Sequence, residues 1–439
     1  MTGSVILRGR ALDFLRRPAG PDDRDAVRSF EDGGIAIKDG RIGALGDFGD
    51  IRGKYPDAKI VDHRPHLLMP GLIDPHLHFV QMQVIGSFGT QLLDWLNRYT
   101  FVEEQRFADR THAKRIAELF LDEMIRQGTT TAAAYCSVHP QSADAFFEAS
   151  HARNMRMIAG KVMMDRNAPE ALTDNAQNGH DDSEALIRAW HGRGRQHYAI
   201  TPRFAITSTP EQLEAAGALA RRYPDCHVQT HLSENADEIA FTQKLYPAAK
   251  DYTDVYARFG LLGPKSLMGH CIHLTERERD AMAECGSVAV FCPTSNLFLG
   301  SGLFDHDGLM SRDKPVRVAV ASDIGGGTSY SMLRTLDEGY KVLQLRGQTW
   351  SPLASFWQAT RGNAEALGLA DKIGTLEPGS DADIIVMDVA ATPAMALRAE
   401  RLGTLEEELF VLQTLGDDRA ITETYVAGVA AKSKLKAHP

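Results

Sequence analysis

The sequence predicts an α/β fold: a (β/α)8 barrel of the TIM type, with a small β-sandwich domain built from both chain ends. Two observations carry that expectation. Between residues 70 and 370 apolar, strand-like runs alternate with amphipathic helical periods, eight strands in about 300 residues, the pattern of a closed parallel barrel. On either side, in 1–69 and 371–439, the chain returns to short strands separated by Gly, Pro and Asp turns. An open doubly wound sheet would also alternate in this way, but no glycine-rich phosphate fingerprint follows an early strand.

In chain order, Val5–Gly9 and Gly34–Ile42 read as strands, the second turning at Asp39-Gly40. Arg16–Asp32, charged and Pro-containing, reads as a loop. Barrel strands are expected at Leu72–Phe79, Thr129–Cys136, Met157–Met163, Tyr198–Ile206, His227–Leu232, Ser266–Cys271, Val288–Cys292 and Val316–Ser322, with helices such as Ala113–Gln127 and Glu211–Arg222 between them. In Gly86–Glu104, Leu92, Leu93, Leu96 and Tyr99 recur at helical spacing, which predicts a short helix closing over the barrel mouth. Gly325-Gly326-Gly327 lacks the spacing of a nucleotide loop and reads as a flexible active-site turn. Late short strands are expected within Gly374–Met387, separated by a turn at Pro378-Gly379, and at Ile421–Ala427, and the basic tail Lys432–Pro439 is expected to fray.

Composition excludes several classes of function. A hydrophobic share of 43% and a charged share of 24% are those of an ordinary globular protein. A net charge of −10 offers no surface to nucleic acid or anionic membrane. No apolar run is long enough for a membrane helix. The opening Met1–Arg8 has neither the apolar block nor the cleavage site of a secretory leader. Cys136, Cys226, Cys271, Cys285 and Cys292 are scattered without a CxxC pair. They read as reduced thiols of a cytoplasmic protein.

Chemistry in a parallel barrel sits at the carboxyl ends of its strands. The first strand ends in His76-Leu77-His78, whose imidazoles point to one face because strand residues i and i+2 do so; Gln81 follows. The fourth carries Arg203 and Phe204, the fifth ends in His231 with Glu234 three residues on, the sixth in His270, the eighth in Asp323. Three histidines and one aspartate match a zinc site that keeps a position open for water. Glu234 is placed to move protons on that water or on a substrate nitrogen. Singly, each has a plainer explanation: a core histidine, a turn cap, a surface acid. Coincidence at the ends of five strands is the less economical account. His112, His139, His151, His180 and His191 fall on helices or loops and carry no such pattern.

These residues stand in the motifs PGLIDPHLH (70–78), HLSE (231–234), GHC (269–271), ASD (321–323) and GTLEPGSDADIIVMD (374–388). Together they resemble the metal-dependent amidohydrolase superfamily. HLHFVQ (76–81), LLDWLNRYTFVEE (92–104), TPRF (201–204), HLSEN (231–235), CPTSNLFLGSG (292–302) and SDIGGGTSYSML (322–333) are similar, within it, to the guanine deaminases. The resemblance implies one zinc ion, or iron in its place, on His76, His78, His231 and Asp323. It implies Gln81, Arg203, Phe204, Glu234 and His270 around a purine, with Trp95 as a further wall. Glu234, Asp323 and His270 would be the catalytic set for hydrolysis of guanine to xanthine and ammonia, and a homodimer is suggested. Pro75 stands where threonine is common, and Phe79-Val80 replace smaller residues. The fourth strand has no lysine at its end to bridge two metals, so a mononuclear site follows; Lys161 reads as structural. Alternatives are an aminohydrolase or chlorohydrolase for another heterocycle (triazine, pterin, modified adenine) and an inactive assembly protein. Every filled ligand position counts against the last.

Overall fold

The structure, a computed structural model, describes residues 3–89 and 91–435. The chain begins with β1 (Val5–Phe14), β2 (Val27–Lys38), β3 (Arg41–Asp47) and β4 (Lys59–Pro70). The barrel strands follow: β5 (Leu72–His78), β6 (Thr129–Tyr135), β7 (Arg156–Gly160) with its continuation β8 (Val162–Met163), β9 (Gln196–Pro202), β10 (His227–Leu232), β11 (Ser266–His270), β12 (Val288–Phe291) and β13 (Arg317–Val320). β14 (Ile384–Met387), β15 (Ile421–Val426) and β16 (Val429–Ala430) complete the set.

The barrel strands pair in parallel in the order β5-β6-β7-β9-β10-β11-β12-β13. They are buried along nearly their whole length, which is why they read as continuous apolar runs rather than alternating ones. Ile73, Ala133, Ile158, Ala199, Leu267, Val288, Val290 and Ala319 fill the interior. Helices such as Arg110–Arg126 lay Ile116, Phe120, Leu121 and Met124 on the outside, and Asp109 caps that helix by accepting from the Thr111 N–H.

Closure between first and last strand occurs at their carboxyl ends. The Asp323 N–H donates to the His76 carbonyl and the His78 N–H to the Ile324 carbonyl, both at 2.9 Å. Buried Asp74 reinforces the seam by accepting from the Ser322 N–H and hydroxyl, and Asn363 Nδ2 donates to the Ile73 and Val320 carbonyls. The bonds that close the barrel thus involve His76, His78 and Asp323, three of the residues the sequence singles out.

The chain ends share one seven-stranded sheet, β16-β15-β14-β4-β1-β2-β3. It curls until its β3 edge meets the segment before β14, where Arg41 bridges Asp381 and the Ile42 N–H donates to the Ser380 carbonyl. The sandwich core (Leu7, Ile35, Ile37, Leu68, Ile384, Val386) is therefore enclosed by one sheet. Below the barrel, Arg156 and Arg195 ion-pair with Asp381, and Arg195 also with Asp383, which ties the sheet to the barrel floor.

Several boundaries differ from the sequence reading. Val27–Asp32, expected as loop, belongs to β2: Val27–Phe30 pair with Ala11–Phe14 across a register shift between Gly9 and Ala11. Gly374–Asp383 is turn rather than strand, because its aspartates reach down to the arginines. Lys161 interrupts the third barrel strand: fully buried, its ammonium donates to Asp174 at 2.6 Å, a structural role. The tail expected to fray is anchored at Lys432, whose ammonium donates to the Arg126, Asp418 and Ile421 carbonyls; residues 436–439 lie outside the described ones. No helix among the described residues is long and apolar enough to cross a membrane.

Candidate active site

The carboxyl ends of β5, β9, β10, β11 and β13 converge on a cavity lined by every candidate site residue of the sequence except His76. His76 and His78 project from β5 as strand alternation requires, and Asp323 is set beside them by the closing bonds of the barrel. Asp323 Oδ1 lies 3.4 Å from His76 Nε2 and 3.4 Å from His78 Nε2. His78 Nε2 lies 3.2 Å from His231 Nε2. The His231 Nδ1–H donates to the Arg203 carbonyl at 2.8 Å, which leaves its Nε2 lone pair facing the cluster. The His76 ring fits because residue 269 is glycine: a Cβ there would lie 2.5 Å from His76 Cε1.

This arrangement suits a metal ion. Both ring nitrogens of His76 and Nδ1 of His78 are buried without a hydrogen-bond partner among the described residues, a costly state for an isolated protein group. Burial holds His76, His78 and His231 below the ordinary imidazole value, and Arg203 lowers His78 further, so all three are neutral and able to donate lone pairs. Burial works against the charge on Asp323, but the His76 imidazole 3.4 Å away, with His270 and His231 beyond it, outweighs burial and holds the carboxyl down at about 2. Cys292, not singled out by the sequence, lies with His76, His270 and Asp323 in a second overlapping group. Burial raises its thiol well above the ordinary value. The other four cysteines are likewise unpaired.

Glu234 and His270 form a buried acid–imidazole pair on one side of the cavity. Glu234 Oε2 lies 3.3 Å from His270 Nε2, and Oε1 accepts from the Ser301 hydroxyl at 3.0 Å. The Glu234 N–H donates to buried Glu238 at 2.8 Å, which fixes the backbone after the left-handed Ser233. Burial pushes the Glu234 carboxyl up to about 7. Burial also disfavours a charged His270, yet Glu234 and Asp323 outweigh it and leave that imidazole above its ordinary value. The two groups therefore titrate as a coupled pair. The His270 Nδ1–H donates to Asn296 Oδ1 at 3.0 Å, which aims Nε2 at Glu234. His270 and Asp323 both have left-handed backbone, at φ 72 and 52. Such strain concentrates at functional sites.

The opposite wall is largely apolar, made by Phe204, Leu299 and the helical segment Leu92–Glu104, with Trp95 and Leu96 facing inward. That segment contains one π turn, Leu96–Thr100, and Trp95 is tied down by its indole N–H on the Ser87 carbonyl. Arg203 and Gln81 supply polar groups, and both bind Glu104, a fully buried acid that the sequence reading passed over. Its only signal was position, as the last residue of LLDWLNRYTFVEE. Phe79, one of the departures noted above, packs on Phe107 and Phe146 outside the cavity. His112, His139, His151, His180 and His191 are absent from the cavity lining.

A parallel barrel that brings neutral buried imidazoles and a carboxylate to one point, beside a buried acid–imidazole pair, defines a metal-dependent hydrolase. The amidohydrolase family model matches residues 67–431. Guanine deaminase of Escherichia coli (strain K12) is 47% identical over 424 residues, 96% of each chain. Among solved structures, E. coli guanine deaminase superposes with a TM-score of 0.94, covering 97% of this chain and 99% of that one at 47% identity. Guanine deaminase from C. acetobutylicum, solved with guanine bound in its active site, superposes at 0.87 with 31% identity over 98% of this chain and 100% of the other. The chain belongs to the amidohydrolase family and, within it, to the guanine deaminases.

Proposed function

We propose that this enzyme hydrolyses the exocyclic amino group of guanine, giving xanthine and ammonia, with one zinc ion on His76, His78, His231 and Asp323. What supports the reading most is that identity of 47% over 96% of both chains coincides with a cluster of chemically competent side chains at and beside one cavity.

When bound, the ion supplies Lewis acidity that brings the ionisation of water into the neutral range. The protein's own groups do the rest. Asp323, ionised at neutral pH, takes a proton from the attacking water. Glu234, with a carboxyl near 7, gives a proton to the ring nitrogen beside the attacked carbon and so makes that carbon electrophilic. His270, held by Asn296, donates its Nε2–H to the oxygen that develops charge, and the proton taken up by Asp323 passes to the exocyclic nitrogen, so that the C–N bond breaks and ammonia leaves. Trp95, Leu96 and Phe204 cover the ring and exclude bulk water, while Arg203 and Gln81 fix its register.

Ammonia release from guanine, with the shift from guanine to xanthine absorbance, tests the reaction, and elemental analysis tests the ion. A chelator that strips the metal should abolish turnover, and zinc should restore it. Full turnover by metal-free protein, or no turnover of guanine by the zinc form, refutes the proposal. We also place the enzyme in the cytoplasm, on the support of five unpaired cysteines, and as a homodimer, to be checked by sedimentation.

A further inference from the structure

Glu104 lies behind the recognition wall, with no exposed surface. Arg203 Nη1 donates to both its oxygens, at 2.9 and 2.8 Å, and Gln81 Nε2 donates to Oε1 at 2.9 Å. A carboxylate only accepts, so it dictates how each partner must stand. A glutamine amide can otherwise turn either end to a ligand. Here its NH2 is committed to Glu104, and its oxygen is left for the cavity that Gln81 lines. That oxygen is crowded into place by the turn after Asp323: a Cβ on Gly325, at φ 114, would lie 1.9 Å from it. Arg203, stacked 5.5 Å from the Phe101 ring, can offer only donors.

We propose that Glu104 is a positioning residue that sets the hydrogen-bond polarity of the pocket, a donor from Arg203 beside an acceptor from Gln81. The pair then selects a heterocycle of the lactam class, which carries a carbonyl oxygen and a ring N–H. It rejects the amidine class, in which an amino group donates and the ring nitrogen accepts. An amino group turned to Arg203 and a lone pair turned to Gln81 would each leave a buried group unpaired, which costs more than an absent contact. The inference rests on the proposed function, whose substrate is a lactam.

Steady-state kinetics on guanine and on 2,6-diaminopurine, which has an amino group in place of the carbonyl, read this polarity. The wild type should prefer guanine by roughly 10²-fold or more. Glu104→Gln offers an NH2 that lets the Gln81 amide turn round. Guanine kcat/KM should then fall on the order of 10²-fold and that for 2,6-diaminopurine by less than about tenfold, at unchanged metal content. The preference thus shrinks at least about tenfold, whereas Glu104→Asp, still a pure acceptor, keeps it within about fivefold. Parallel losses on both purines, or loss of metal together with activity, overturn the assignment. Should Glu104→Gln fail to fold, Glu104→Asp and Gln81→Leu carry the test. Removal of the acceptor must then shrink the preference where Asp does not, and equal preference in both variants overturns the assignment. A wild type that releases no ammonia from guanine overturns the proposed function and this inference together. An active wild type with an unaltered preference in the Glu104→Gln variant overturns only the role of Glu104.

Discussion

Replacing Glu234 with Gln separates proton transfer from everything else the side chain does. The amide has the shape of the acid. Its oxygen can keep the 3.0 Å bond from Ser301, and its NH2 can face His270 Nε2 at the 3.3 Å now spanned by Oε2. The backbone bond to Glu238 is untouched, and Glu234 stands outside the His76, His78, His231 group, so metal binding should survive. What disappears is a carboxyl held near 7, matched to proton donation at neutral pH. Loss of such a group typically costs 10²–10⁴-fold, or about 3–5 kcal/mol of transition-state stabilisation. The fall should appear in kcat and kcat/KM alike, because the proton moves only in the transition state. Kinetics on guanine, elemental analysis and a thermal melt on one preparation make the assay. A loss confined to KM, or loss of zinc, would refute the assignment of Glu234 as the proton carrier.

Four further outcomes are expected. Ala at His76, His231 or Asp323 should remove both metal and activity but leave the circular dichroism of the barrel, since closure runs through backbone bonds; full zinc with normal turnover would contradict the ligand set. Arg203→Ala should destabilise the fold by about 3–5 kcal/mol in urea titrations, by stranding buried Glu104, and adding Glu104→Gln should recover much of that loss. If the segment Leu92–Glu104 is a lid, a purine inhibitor should increase its protection from hydrogen exchange; unchanged protection means a permanently packed wall. His197 accepts from Arg156 at 2.9 Å, and burial lowers its pKa from 6.5 to about 3, so between those values the unfolded chain binds more protons. Stability should fall as pH falls through that window, and His197→Gln should flatten the melting-temperature profile.

The barrel was legible because parallel strands buried on both faces cannot hide their apolar runs, and because amphipathic periods separate them. All eight barrel strands lie where the sequence indicates, with ends that differ by a few residues for local reasons. β11 stops at His270 rather than Cys271 because both residues turn left-handed. The fourth strand stops at Pro202, and Arg203 and Phe204 reach the cavity from the extended residues just beyond it. Val27–Asp32 was not legible as strand, since an exposed strand full of charge has the composition of a loop. Its identity depends on a partner twelve or more residues away.

The site divides along the same line. Metal-type residues announce themselves by chemistry and by position at strand ends. The groups that orient them do not, because an asparagine, a serine or a glutamate acting through another side chain has no spacing to reveal it. Asn296, Ser301 and Glu238 are of this kind, and Glu104 is the most consequential. From the sequence, Arg203 is a lone cation whose pairing with the wrong base would leave it bare. In the structure it already has an anion, so the discrimination lies in the direction of the remaining hydrogen bonds, not in the charge. Specificity in this pocket is then a property of a triad, Arg203, Gln81 and Glu104, drawn from three separate parts of the chain and joined only when β5, β9 and the segment over the mouth meet.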